Sequence, residues 1–158
     1  MDFSKFNGVE LLAVYSDLLK EMRKQEIIRT NNVVGDIGEF FVVDFYNREK
    51  TLPNLTMSKT NTSNFDATCP ETQNRYTIKC TTNNLTSSFH GVVDLNQAAV
   101  FEYLVILQLN KDFKPYRLIE LPWVVFKDYA KMHKTKKAYD ISVTEKLLND
   151  KRVKCFNL

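Results

Sequence analysis

The sequence predicts an α/β protein with a mixed central sheet flanked by helices, and three observations predict it. Apolar residues recur at helical spacing through the first third of the chain. After Pro53 the pattern changes to short segments rich in Thr, Asn, Val, Ile and Tyr, the composition of strands. Phe101 to Leu109 is then strongly apolar, as a buried core strand is.

The elements follow in order. Between Val9 and about Ile28, apolar residues at Leu11, Leu12, Tyr15, Leu18, Leu19 and Met22 line one face of a helix. Asn7, three residues before Glu10, is placed to cap it. A second helix is predicted from Val33 to Tyr46, with Ile37, Phe41, Asp44 and Phe45 on one side. Gly35 and Gly38 each lower its helix propensity by roughly 1 kcal/mol relative to alanine, which close backbone packing would justify. Strands are predicted at Leu55 to Lys59, Phe65 to Cys69, Arg75 to Thr81, Phe101 to Leu109 and Pro115 to Glu120. The turn-rich Pro70 to Asn74 joins the second and third into an antiparallel hairpin. Asn83 to Gly91 reads as a polar loop, and Pro122 opens a helix through Trp123, Phe126 and Tyr129. Short strands at Tyr139 to Val143 and Arg152 to Phe156 flank a small helix over Thr144 to Asn149.

At 158 residues the chain has the size of one domain, residues 1–158. Hydrophobic residues at 44% and charged residues at 26% exclude disordered and collagenous classes. A net charge of +3 is too mild to announce a nucleic-acid binder by itself. Cys69, Cys80 and Cys155 form no CxxC pair, which argues against a disulfide framework or zinc knuckle and fits a reducing cytoplasm. The N-terminus lacks the basic head and apolar run of a signal peptide. Ala98 to Leu109, interrupted by Glu102, falls short of the roughly 20 residues of a membrane span.

The informative stretch is Asn64-Phe65-Asp66-Ala67-Thr68, followed after the turn by Arg75-Tyr76-Thr77-Ile78-Lys79-Cys80-Thr81. With a four-residue Glu71 to Asn74 loop, Asp66 is predicted directly opposite Lys79, and period-two alternation puts Thr77 on the same face. An aspartate there can hold a divalent cation, and a neighbouring lysine can orient a water for attack on phosphorus. The same residues also read as a cross-strand ion pair worth up to about 1 kcal/mol, with Glu39 complementing a helix dipole.

Together with Glu39 in Gly35-Asp36-Ile37-Gly38-Glu39-Phe40, this constellation resembles the PD-(D/E)XK phosphodiesterase superfamily, the restriction-endonuclease-like fold. The order of elements agrees over roughly residues 33–109, with the N-terminal helix and the C-terminal region as embellishments. The resemblance implies that Asp66 binds metal, that Lys79 is the active-site lysine, and that Glu39 and the backbone carbonyl of Ile78 complete the ligands of Mg²⁺ or Mn²⁺. Thr77 stands where the family has an acidic residue. Phe65 stands where it has proline. The implied activity is metal-dependent hydrolysis of DNA phosphodiester bonds by a restriction or defence endonuclease. The implied partners are double-stranded DNA and, for cutting both strands, a homodimer.

Charge distribution adds candidate DNA contacts. Lys127 to Lys137 carries five lysines, with Lys131, Lys134, Lys136 and Lys137 as candidate phosphate ligands, although a solvated helix end has the same composition. Asn83 and Asn84, in the loop after Lys79, offer donors and acceptors suited to phosphates or base edges. Two alternatives stand beside the nuclease. One is a DNA- or protein-binding module on the same fold, its metal site degraded at Thr77. The other is an unrelated interaction protein, favoured if Glu39, Asp66 and Lys79 lie on scattered faces.

Overall fold

Local capping sets where the helices begin and end. The 3-10 helix Phe3–Lys5 leads to α1, Gly8–Lys24. The Asn7 Oδ1 accepts the Val9 and Glu10 amides at 2.9 and 3.0 Å, and Glu10 Oε2 accepts the Asn7 amide at 2.8 Å. This is the capping box that the Asn7/Glu10 spacing predicts. The helix stops at Lys24 rather than near Ile28 because Glu26 adopts a left-handed φ of 59°. The Ile27 amide thereby closes on the Met22 carbonyl at 2.9 Å, a Schellman bond.

The computed structural model describes residues 2–60, 64–87, 89, 94–133, 135 and 137–158, and the chain divides into two compact units, 1–37 and 38–158. Helix α2, Val33–Arg48, starts in the first and continues in the second. In the first unit the buried Asp36 accepts the Arg29 amide at 2.8 Å and the Thr30 amide at 2.5 Å, tying the incoming loop to the first turn of α2. A carboxylate there also complements the positive end of the helix dipole.

The second unit holds six strands in one mixed sheet. They are β1 (Thr56–Met57), β2 (Ala67–Thr68), β3 (Arg75–Thr81), β4 (Tyr103–Leu109), β5 (Pro115–Pro122) and β8 (Lys154–Asn157), side by side in the order β1-β2-β3-β4-β5-β8. Only β3 and β4 run parallel; the other neighbours are antiparallel. Between β5 and β8 come α3 (Trp123–Tyr129), a separate ribbon of β6 (Lys131–Met132) and β7 (Tyr139–Asp140), and α4 (Glu145–Leu148). Pro122 is the N-cap of α3 rather than its first residue. Several strands are shorter than predicted: the pairing of β1 with β2 covers two residues on each, and β7 ends at Asp140. No described helix is long and apolar enough to cross a membrane.

Alternation along the strands builds a core on each face. Tyr76, Ile78, Val105, Leu107 and Leu118 pack with Val42, Val43 and Tyr46 of α2. Leu104, Ile106, Ile119 and Leu121 pack on the other face with Val125 and Phe126 of α3, Phe89, Phe101, Ile141 and Leu147. Leu104 to Leu109 are all buried because β4 is covered on both sides. The buried stripe of α2 is therefore centred on Val42, Val43 and Tyr46, not on Ile37, Phe41, Asp44 and Phe45; Phe41 and Phe45 sit partly buried at its margin. Gly38 justifies its cost: a Cβ there would stand 2.7 Å from the Cys80 Cβ, so its absence lets the helix approach β3.

Candidate functional site

The hairpin register differs from the predicted one by two residues. Ala67 pairs with Tyr76 and Thr68 with Arg75, because the turn closes through Cys69 and Asn74, with the Cys69 amide on the Asn74 carbonyl at 2.9 Å. Asp66 is thus level with Thr77 and not with Lys79. A shift of two keeps every side chain on its face, so Asp66, Thr77 and Lys79 still share one. In the parallel ladder Thr77 and Lys79 lie beside Leu104 and Ile106, on the face opposite α2.

Asp66 precedes β2, and its carboxylate takes over pairing with β3. Its Oδ2 accepts the Ile78 amide at 2.6 Å and the Thr77 hydroxyl at 3.2 Å, while its own amide donates to the Tyr76 carbonyl at 2.8 Å. A strand residue directs its N–H and C=O toward the same neighbour, so the Ile78 carbonyl is on the Asp66 side of β3. The Asp66 carboxylate and the Ile78 carbonyl therefore lie along the same edge of β3. Thr77 is buried and contributes a neutral hydroxyl already engaged with Asp66.

The Lys79 ammonium lies over the Phe89 ring, 4.9 Å from its centroid. Such a contact is worth about 0.5–2 kcal/mol depending on desolvation. Phe89 is itself fixed: its amide donates to the Tyr139 carbonyl at 2.8 Å and its ring meets Phe126 edge-on at 4.9 Å. Phe89 is the residue that reading the loop as polar misses; its only sequence signal is an aromatic among serines and threonines.

Glu39 is half-buried on α2, the helix that packs on the opposite face of the sheet from Asp66, Thr77 and Lys79. Glu39, Asp66 and Lys79 are thus divided between two faces, the arrangement that favours an unrelated interaction protein. Glu39 follows Gly38, the residue against Cys80, and shares the i, i+3, i+4, i+7 stripe of Val42, Val43 and Tyr46. Cys80 faces α2, away from Lys79, as alternation predicts, and burial pushes its thiol up to about 11. Glu71 stays in the hairpin turn, exposed, where its carboxylate accepts from the Cys69 thiol at 3.1 Å.

The candidate DNA contacts divide. Lys127, Lys131 and Lys137 are exposed, whereas Lys134 and Lys136 lie outside the described residues. Asn83 and Asn84 are exposed, but their carbonyl oxygens serve the fold. Asn83 Oδ1 accepts the Leu85 amide at 2.8 Å, and Asn84 Oδ1 accepts from the buried Gln108 at 3.1 Å. Their amide nitrogens are the groups left to meet a ligand.

Among the described residues no three His, Cys, Asp or Glu side chains form a group able to hold a metal ion. Mg²⁺ is commonly held by one or two carboxylates, with water and substrate phosphate filling the octahedron. The Asp66 carboxylate is the acidic group that the structure places against the Ile78 segment. No protein-family model matches the chain, and no curated protein matches it either.

Proposed function

We propose that the chain is a metal-dependent DNA endonuclease of restriction or defence type, on a restriction-endonuclease-like core, that hydrolyses phosphodiester bonds. The observation that carries this reading is the convergence of Asp66 with the Ile78–Lys79 segment, the carboxylate standing 2.6 Å from the Ile78 amide. Asp66, the Ile78 carbonyl and Glu39 would hold Mg²⁺ or Mn²⁺. When bound, the cation supplies Lewis-acid polarisation of the phosphate and a more acidic water.

The protein's own groups do the rest. The Ile78 amide and the Thr77 hydroxyl fix the Asp66 carboxylate in one orientation, which lowers the reorganisation needed at reaction. Lys79 carries a positive charge with three donors to the phosphate oxygens or the attacking water, and Phe89 holds it without neutralising it. The exposed Lys127, Lys131 and Lys137 would meet backbone phosphates. One site addresses one strand, so cleavage of a duplex calls for two copies.

The test is cleavage of supercoiled and linear DNA by wild type and Lys79→Ala with Mg²⁺, Mn²⁺ or EDTA. Cutting that needs the metal and disappears with Lys79 is the expected result. Failure of the wild type to cut under any of these conditions overturns the reading.

A second reading is favoured by Thr77, whose neutral hydroxyl shares an Asp66 oxygen with the Ile78 amide. Here the fold binds DNA or a protein without cutting. It predicts that Asp66→Ala leaves DNA affinity intact in EDTA, and that Thr77→Glu creates a thermal stability dependent on Mg²⁺ that the wild type lacks.

A further inference from the structure

α1 buries none of its residues, yet it carries an apolar seam. Leu11, Tyr15, Leu18 and Met22 follow a four-three-four spacing, the repeat by which one helix packs along another, and Leu12 and Leu19 widen the stripe. Leu11, Leu12, Tyr15 and Leu18 are 40%, 68%, 55% and 54% exposed. The capping box and the Schellman bond stabilise this helix without help from that face. Leu19 and Met22 are half-buried at the end of the stripe, and the contiguous exposed apolar surface of Leu11, Leu12, Tyr15 and Leu18 marks an interaction surface.

The charges on the helix indicate what covers it. Glu10 and Asp17 lie in its first ten residues, while Lys20, Arg23 and Lys24 outnumber Glu21 in its last seven. The two ends are therefore oppositely charged. A parallel copy would bring like ends together. An antiparallel copy sets the acidic end of each helix against the basic end of the other, and opposes the helix dipoles as well. In the register that centres the seam, Leu11 meets Met22 of the other copy and Tyr15 meets Leu18.

We infer that α1 is a homodimerisation helix, pairing antiparallel with α1 of a second copy through Leu11, Tyr15, Leu18 and Met22. The inference rests on α1 alone and stands whether or not the chain cuts DNA. It is tested on the full chain by sedimentation equilibrium and light scattering at micromolar concentration. Wild type is expected at twice 18.4 kDa, with a melting temperature that rises with concentration. Leu11→Glu/Leu18→Glu is expected at the single-chain mass, with unchanged circular dichroism and a melting temperature independent of concentration. A monomeric wild type overturns it, including one that instead floats with anionic phospholipid vesicles, and so does a dimeric double variant.

A second measurement covers the case in which the glutamates unfold the helix. In a Cys155→Ser background, Leu11→Cys mixed with Met22→Cys is expected to form an oxidised dimer, and each alone is not. Cross-linking of either variant with itself overturns the antiparallel arrangement.

Discussion

Gly38 of α2 stands so close to Cys80 of β3 that a methyl group on it would lie 2.7 Å from the Cys80 Cβ. Carbon atoms in ordinary contact are about 3.5–4.0 Å apart. Gly38→Ala therefore pushes α2 off the strand that carries Lys79. Overpacking of about 1–3 kcal/mol is partly offset by roughly 1 kcal/mol of gained helix propensity, giving a net loss of about 1 kcal/mol in urea unfolding. Because Glu39 rides on the same turn, any DNA cleavage should fall by more than the lost folded fraction accounts for. A variant as stable and active as wild type would mean that the two elements yield freely.

Asp66 separates structure from chemistry. Asp66→Ala leaves the buried Ile78 amide and Thr77 hydroxyl without their acceptor, at a cost of about 2–3 kcal/mol. Asp66→Asn keeps a carbonyl oxygen for both donors and should cost under about 1 kcal/mol, while removing the anionic charge a divalent cation requires. Chemical denaturation should rank the variants in that order, and both should be inactive on DNA. Retained cleavage by Asp66→Asn would remove Asp66 from the metal site.

Much of this arrangement was legible in the sequence because it depends on parity and local chemistry. The shared face of Asp66, Thr77 and Lys79 follows from alternation alone and survives a two-residue change of register. The α1 cap depends on residues three apart. What escaped was set by contacts distant in sequence. Which residues pair across the hairpin depends on whether Cys69 or Pro70 closes the turn. The partner of Lys79 comes from Phe89, held by Tyr139, fifty residues further along. The buried Glu120, bonded to the Tyr46 hydroxyl and to Lys154 at 2.8 Å, reads in sequence as the polar end of a strand. The stripe of α2 was misplaced because aromatic residues at 41 and 45 look more core-like than valines at 42 and 43.

The three thiols should differ sharply in reactivity. Cys69 is buried, Cys80 half-buried and Cys155 exposed. With its thiol pushed up to about 11 by burial, Cys80 is ionised in only about one molecule in a thousand at pH 8. Native protein should show one thiol reacting readily with a disulfide reagent, lost in Cys155→Ser, and three after denaturation. Rapid labelling of Cys80 in the native protein would mean that α2 does not stay seated on β3.

Glu102, which in sequence only interrupts an apolar run, anchors the start of β4. Its Oε2 accepts the Arg75 amide at 2.6 Å and its Oε1 accepts an Arg75 guanidinium nitrogen at 2.6 Å. The guanidinium, first, holds its carboxyl below the ordinary value of 4.5. A carboxyl depressed by folding adds stability above that ordinary value, and the contribution is lost as pH falls through the folded-state value beneath it. With both side chains about one-third exposed, 35% and 33%, solvent screening limits the effect to about 1 kcal/mol. Wild type should therefore exceed Glu102→Gln by about that amount at neutral pH. The gap should close in acid below 4.5 and shrink in high salt. A gap that stays constant with pH would assign the loss to the geometry of the hydrogen bonds rather than to the charge of Glu102.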